Sequence, residues 1–173
     1  MIQKYNSIKG LFFTFFLMLS FTVSARGVYQ TETAFLQEVF AGDVPKSRVI
    51  WLKGEVRGKI TDILGHPYPG LRIRYWAHSQ RSAWILEEIG KTQPITFGIV
   101  INQGEVERVK VLAFRESRGD EIRYPAFTRQ FISTKLQDNT LNKQIDGISG
   151  ATLSVSAITR VVILALYLHT LTG

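Results

Sequence analysis

The sequence predicts an α+β domain, an antiparallel sheet of at least four strands packed with helices. The middle of the chain, from about Leu71 to Phe114, alternates apolar and polar residues as strands do, whereas the segments on either side show helical spacing. A chain of 173 residues is long enough for one domain with an adequate core, and it contains no cysteine. We therefore expect a single domain that hydrophobic burial holds together without disulfides or thiolate metal sites.

The first 25 residues have the pattern of a secretory signal peptide. Two lysines precede the apolar run LFFTFFLML (11–19), and VSA (23–25) places small residues where a signal peptidase cleaves. The sequence thus predicts a signal peptide at 1–25 and an exported domain at 26–173. An uncleaved membrane anchor is the alternative, because apolar residues continue to Val23.

Three elements are expected before the sheet region. TETAFLQEVF (31–40) has the apolar spacing and the threonine start of a short amphipathic helix. RVIWL (48–52) is typical of a buried strand. EVRGKITDILG (55–65) is expected to be a second helix that ends at Gly65, since glycine is a common helix terminator.

Two hairpins are expected next. LRIRYWAHS (71–79) alternates, and with SAWILEEIG (82–90) it predicts an antiparallel pair. PITFGIVI (94–101) and VERVKVLAFRES (106–117) predict another, because the intervening NQGE contains residues suited to a tight turn.

Helical spacing returns near the C-terminus. From Tyr124 the pattern predicts a helix with one apolar face of Phe127, Phe131, Ile132 and Leu136, followed by a polar loop. The final segment predicts a core helix with one stripe of Val155, Ile158, Val162, Ala165, Leu166 and His169. A membrane span is disfavoured there, because Arg160 interrupts the segment and the run 161–168 is far shorter than the roughly 20 residues that a bilayer needs.

The formal net charge is +7, but the basic residues are scattered rather than clustered on one helical face. This distribution argues against nucleic-acid binding and favours an anionic cofactor, an acidic redox partner or a membrane surface. His66, His78 and His169 lack the spacing of metal ligands, so no metal site is expected. His169 is most simply a cation at the end of the last helix.

DGISGATLSVS (146–156) is the most informative stretch of the chain. A helix that begins after Thr152 leaves backbone N–H groups unsatisfied, and either Ser149 or Thr152 could cap them. The same helix start would attract a phosphate, and Gly150 and Ala151 keep bulk away from the threonine hydroxyl. The stretch therefore predicts a helix cap, a phosphate site or both.

DGISGAT resembles the Asp-x-x-Ser/Thr-Gly-Ala-Thr/Ser motif of the FMN-binding domain family, found in flavin-carrying subunits of the sodium-pumping NADH:quinone reductase and of Rnf-type complexes. In that family a flavin transferase moves FMN from FAD onto the last hydroxyl residue. The resemblance implies a covalent FMN on Thr152, recognition of Asp146 by the transferase, and motif positions around the cofactor: Ser149, Gly150 and Ala151.

A second, looser match lies in LAFRESRG (112–119). Family members carry Glu-Thr and a glycine turn that lies along the flavin, and here the corresponding residues are Glu116, Ser117, Arg118 and Gly119, with serine in place of threonine. A solvated hairpin end is the alternative. Two aromatic residues could stack on the flavin ring, although core packing is favoured for both: Phe127 and Phe131. Three basic residues could balance the negative charge of a phosphate or of a reduced flavin: Arg115, Arg118 and Arg123.

The resemblance implies an extracytoplasmic, periplasmic-type flavoprotein that carries electrons rather than a stand-alone enzyme, because no acid–base pair accompanies the motif. Its expected partners are the flavin transferase and redox proteins or a membrane quinone or cytochrome system. The main alternative is a flavin-free accessory module of a membrane redox complex. A basic exported protein acting at an anionic surface is a third possibility.

Overall fold

The structure is a computed structural model, and it describes residues 27–172; the predicted signal peptide lies outside the described residues. Besides two short 3-10 turns, these described residues form four helices and seven strands. In chain order they are α1 (Glu32–Val39), β1 (Arg48–Trp51), α2 (Gly54–Leu64), β2 (Arg72–His78), β3 (Arg81–Ile89), β4 (Pro94–Asn102), β5 (Glu105–Ala113), α3 (Pro125–Thr128), β6 (Leu136–Gln137), β7 (Thr140–Leu141) and α4 (Thr152–Thr170).

The main sheet has five strands in the order β1-β2-β3-β4-β5, and every neighbouring pair is antiparallel. The order of the strands in the sheet is therefore their order in the chain: short turns join β2 to β5 as successive hairpins, whereas α2 lies between β1 and β2. At the β4–β5 turn, Gln103 and Gly104 both have positive φ, 53° and 78°, the conformation that suits the twist of a two-residue hairpin. The predicted α+β fold and both predicted hairpins are confirmed.

Helix α4 fills the core on one face of the sheet. It forms where the sequence predicts a core helix, although it begins at Thr152 rather than after it. Its buried side chains cover more of its circumference than one stripe: Ser154, Ala157, Ile158, Val161, Val162, Leu164, Ala165, Leu166 and Leu168. By length and composition this helix could cross a membrane, but half of its most apolar window is already buried inside the domain. Its apolar surface is thus used for folding.

Helix α1 covers part of the opposite face. Thr31 caps it as predicted, because its hydroxyl accepts a hydrogen bond of 3.2 Å from the N–H of Ala34. The ring of Phe35 lies directly on Gly98 of β4, where an added Cβ would come within 2.6 Å of the ring. The glycine therefore permits the close contact between α1 and the sheet.

A buried strand is predicted at 48–52; the strand forms, but it is not buried. Strand β1 forms at the predicted place, but it is the outer strand of the sheet, and Val49 and Trp51 are 41% and 52% exposed. Helix α1 does not reach this edge, so the outward side chains of β1 stay in solvent.

The predicted long helix from Tyr124 is also wrong. Only Pro125–Thr128 is α-helical, a 3-10 turn follows, and Ser133 adopts a positive φ of 61° that no helix continues through. Leu136 instead begins a small hairpin, β6–β7, inside the segment expected to be a polar loop. Asp138 and Asn139 form its turn with positive φ, a conformation that these short polar residues tolerate.

One carboxylate is buried between the sheet and α4. Glu88 of β3 is only 3% exposed, and its Oε1 lies 2.8 Å from Arg160 Nη2 and 3.0 Å from His66 Nε2. His66 Nδ1 lies 3.1 Å from the carbonyl oxygen of Pro67, so both ring nitrogens face acceptors. The hydrogen bond to Glu88 is the main cause that raises the pKa of His66 above its ordinary 6.5.

His169 behaves in the opposite way, which corrects its prediction as a helix-end cation. Trp84 Nε1 donates to the hydroxyl of Ser82, and that hydroxyl lies 2.7 Å from His169 Nδ1. Burial lowers the pKa of His169 below 6.5, so the ring is neutral at pH 7. The residue lies in the last turn of α4 as predicted, but as a hydrogen-bonding group of the core.

The two histidines should therefore give stability opposite dependences on pH. The stabilisation from His66 is present below pH 6.5 and is lost as pH rises through its raised pKa. The stabilisation from neutral His169 is fully present above pH 6.5 and is lost as pH falls through the lowered pKa of His169. We expect His66→Gln to remove the loss of unfolding free energy that occurs as pH rises. We expect His169→Gln to remove the loss of unfolding free energy that occurs as pH falls. Urea unfolding across this pH range measures both.

Because His66 is partly exposed, its contribution should stay below about 1 kcal/mol. Substitution of the exposed His78, for which the structure gives no ion pair, serves as the control and should change neither of these two losses of unfolding free energy. The assignment is wrong if His66→Gln instead removes the loss of stability at acid pH.

Candidate functional site

The predicted motif forms a tight loop that ends where α4 begins. The N–H of Ala151 donates to the carbonyl oxygen of Ile148 at 3.0 Å, and Gly150 has a φ of +81°, which glycine adopts without strain. Thr152 is the first residue of α4, and it is exposed. The structure thus presents a threonine side chain to solvent at a helix N-terminus.

The prediction that Ser149 or Thr152 caps this helix is wrong. The N-cap position is Ala151, whose methyl group cannot accept a hydrogen bond, and no side chain caps the helix. The first-turn N–H groups of α4 are therefore without a side-chain acceptor. Such groups, together with the helix dipole, favour an anion such as a phosphate.

The second predicted segment, 116–119, lies against this helix start. Gly119 has a φ of +92°, and a Cβ added there would come within 2.5 Å of Ser154 Oγ. It would also lie 3.5 Å from the methyl carbon of Ala151. Glycine therefore lets the loop after β5 pack directly on the first turn of α4, so the fold brings the two predicted segments together.

Glu116 holds a neighbouring turn in place. Its Oε1 accepts hydrogen bonds from the backbone N–H groups of Lys91, Thr92 and Gln93, at 2.6 Å for Lys91 and 2.8 Å for Gln93. Burial would raise the pKa of this carboxyl, but these N–H groups and the Thr92 hydroxyl outweigh it and lower the pKa. Glu116 is thus an ionised carboxylate that fixes the β3–β4 turn.

Two adjoining clefts open at this end of the sheet. The first, of about 330 Å³, is lined by residues that include Lys91, Arg118 and Thr152. The second, of about 480 Å³, is lined by residues that include Tyr29, Phe114 and Asp120. Both clefts include Glu116 and Ser117 in their walls, and each has a volume within the range of small-molecule sites.

The first cleft favours negative charge. Lys91 and Arg118 are exposed, and among the described residues neither is within ion-pair distance of a carboxylate. The charge of Glu116 is directed onto backbone N–H groups. Two cations and an uncapped helix start therefore surround Thr152, an arrangement suited to a phosphate ester.

Asp146 and Ser149 do not line either cleft. Both are exposed, and the backbone N–H of Asp146 donates to Gln130 Oε1 at 2.8 Å. They precede Thr152 in the same loop. Their predicted roles remain predictions.

The remaining predicted residues divide between the second cleft and the core. Arg115 lines the second cleft and donates to the carbonyl oxygen of Pro94 at 3.0 Å. Arg123 lies over the ring of Tyr29 and pairs with Asp120 at 3.1 Å. Both phenylalanines are buried in the core and contact each other edge to face, as favoured for them: Phe127 and Phe131.

Sequence reasoning did not identify Lys91 or Tyr29 as site residues. Lys91 lies in the β3–β4 turn, which an antiparallel meander places at the same end of the sheet as the loop after β5; that topology was a usable signal. Tyr29 reaches the site because Val28 bridges Ala113 of β5 and the N–H of Tyr29 donates to Leu112 at 2.8 Å. Nothing in the local sequence around Tyr29 indicates this pairing.

The comparisons with known proteins address the same part of the chain. The model of the family described as "FMN-binding domain" matches residues 90–167. Comparison of the chain with curated proteins and with solved structures gives no match. The matched segment runs from the β3–β4 turn through β4, β5 and the loop at 116–119 into α4. The match confirms the predicted resemblance to the FMN-binding domain family over residues 90–167, a segment that contains every residue predicted for the site.

Proposed function

We propose that the protein is an exported electron carrier that holds FMN covalently through a phosphoester on Thr152. The observation that carries the proposal is the exposed side chain of Thr152 at the uncapped start of α4, inside a cleft with two cations. This geometry lies within the segment that matches the FMN-binding domain family.

The residues present fit the parts of FMN. The phosphate would be held by the first-turn N–H groups of α4 with Lys91 and Arg118, and Gly119 keeps side-chain bulk out of this region. Tyr29 and Phe114 in the adjoining cleft offer aromatic surface for a flat ring system. When bound, FMN supplies one- and two-electron transfer, while the chain contributes binding, orientation and charge.

The attachment requires a second enzyme. Thr152 Oγ1 forms a bond to the phosphorus of the FMN part of FAD, the phosphoanhydride bond breaks, and AMP leaves. The hydroxyl proton passes to a base of the transferase, because no histidine or carboxylate other than the engaged Glu116 lines the cleft in the described part of the chain. The exposure of Thr152 supports this scheme, since the transferase must reach the hydroxyl.

The N-terminal leader supports an extracytoplasmic location. There, a covalent bond would prevent loss of a flavin that is not resupplied. Electrons would reach and leave the site through partner proteins or a membrane quinone or cytochrome system. The exposed openings of both clefts leave room for such a partner to approach.

Replacement of the acceptor is the direct test. We expect the wild-type chain, coexpressed with a flavin transferase in an exporting host, to gain the mass of one FMN less water and to fluoresce in a denaturing gel. Thr152→Ala should lose both signals and Thr152→Ser should keep them, because serine retains the hydroxyl. Since Thr152 makes no cap hydrogen bond, Thr152→Ala should change the unfolding free energy by less than about 0.5 kcal/mol.

Ser47→Ala is the control, since it removes an exposed hydroxyl outside the motif and should leave the adduct intact. No adduct on wild type, in cells where a known acceptor is modified, would exclude the covalent carrier and favour a flavin-free accessory module.

The carboxylate of Glu116 should matter for stability and for the site. Glu116→Gln weakens charge-assisted hydrogen bonds to the β3–β4 turn, and we expect a loss of about 1–3 kcal/mol in unfolding free energy and slower flavin attachment. Chemical denaturation and a time course of gel fluorescence measure the two effects. Glu121→Gln removes an exposed carboxylate on the same segment and should alter neither, so equal effects of the two variants would contradict this role.

Gly119→Ala should separate contact from backbone strain. Its Cβ would meet Ser154 at 2.5 Å, whereas at Gly104, which also has a positive φ, an added Cβ meets nothing within 4 Å. Both variants carry the strain of a positive φ, roughly 1 kcal/mol or more, and only Gly119→Ala adds the clash. We expect Gly119→Ala to be the less stable and to attach flavin more slowly. Equal unfolding free energies would show that the loop does not pack closely on α4.

A further inference from the structure

A surface with three cations and exposed apolar groups lies at the β1 edge of the sheet. It consists of Val49, Trp51, Lys53, Leu71, Arg72 and Arg74, which we call the edge surface. The strand register pairs Val49 with Arg74 and Trp51 with Arg72, so these four side chains share the sheet face that α1 covers only over the inner strands. The site described above does not use this surface.

The apolar members of the edge surface stand in solvent. Trp51 is 52% exposed and Leu71 is 69% exposed. Lys53 Nζ and the guanidinium of Arg72 lie 5.9 and 5.7 Å from the centre of the Trp51 ring. The indole is thus flanked by two cations.

The cations of the edge surface have no carboxylate partner among residues 27–172. Lys53, Arg72 and Arg74 form no ion pair, whereas arginines on the inner strands do, such as Arg81 with Glu107 and Arg108 with Glu38. Two carboxylates border the groove beside Arg72 and Arg74, those of Glu32 and Glu87, and Glu87 lies 3.7 Å from Arg115. Among the described residues, the outer edge therefore carries three cations that no carboxylate approaches within ion-pair distance.

We propose that the edge surface docks the domain on an anionic lipid bilayer, with Trp51 and Leu71 at the level of the headgroups and the three cations on lipid phosphates. Tryptophan is favoured at the depth of the headgroups. Each basic residue near an anionic membrane adds to the attraction between the protein and the membrane. The proposal does not depend on bound flavin.

A bilayer fits this surface better than an acidic protein. Val49 and Trp51 project from an outer strand, and Leu71 lies just before β2; all three are exposed, and tryptophan and leucine are typical of an interfacial apolar face. The three cations add electrostatic attraction to an exposed apolar surface, and this combination strengthens binding at the surface of an anionic bilayer.

The test uses the flavin-free full chain, made without a transferase, and the fluorescence of Trp51. The sequence has three tryptophans, and the other two are 9% and 0% exposed: Trp76 and Trp84. The chain is combined with vesicles that contain brominated phosphatidylcholine as a quencher, either alone or in an equimolar mixture with phosphatidylglycerol. We expect quenching of Trp51 on the anionic vesicles, little on the neutral ones, and release by high salt.

The variant Lys53→Gln/Arg72→Gln/Arg74→Gln should lose the quenching, because three cations shift the docking equilibrium by on the order of a hundredfold. The matched control Lys59→Gln/Arg129→Gln/Lys143→Gln removes the same number of positive charges from other parts of the chain. This control should keep most of the quenching. Trp51→Phe should abolish the quenchable emission and so verify its assignment. Circular dichroism and the emission of the buried tryptophans report whether each variant is folded.

Quenching that is absent on anionic vesicles, or equal in the two triple variants, would overturn the proposal. The first result would leave the edge surface to an acidic protein or to protection of the outer strand from other strands. Quenching that is equal on neutral vesicles would also overturn it, because the cations would then have no role.

Discussion

The burial of α4 against the five-stranded sheet is the contact on which the site depends. Nine side chains of this helix are buried, and its start therefore cannot move without loss of core packing. Thr152 stands at that start and remains in solvent. The core thus holds the backbone of Thr152 in place while leaving its side chain accessible, which suits the proposed role of Thr152 as the acceptor of FMN.

A second constraint connects this helix with the ends of the strands. The antiparallel order places the β3–β4 turn and the loop after β5 at one end of the sheet, and Glu116 ties the two together through backbone N–H groups. Gly119 then allows the loop to contact the first turn of α4. Three segments distant in sequence are therefore coupled through one carboxylate and one glycine, with Lys91 carried into the cleft as a result.

Much of this arrangement is visible in the sequence, and the exceptions have physical reasons. The alternation in β2–β5 and the apolar character of α4 are strong periodic signals, so their positions were predictable, as was the motif at 146–152. The segment after Tyr124 has helical spacing, but Ser133 breaks it with a left-handed conformation that spacing does not reveal. The exposure of β1 depends on which strand lies outermost, and Tyr29 reaches the site through a bridge to β5; both are tertiary facts.

The short bridge between Val28 and Ala113 brings the beginning of the described chain to the second cleft. Gly27 lines the second cleft, so the peptide bond expected to be cut by signal peptidase, after Ala25, lies only two residues earlier. If the predicted cleavage occurs, a free ammonium group replaces a neutral peptide group one residue before Gly27 in the sequence. A processed and an unprocessed chain would then differ by one positive charge close in sequence to the second cleft, and FMN bound as proposed would have a different reduction potential in each.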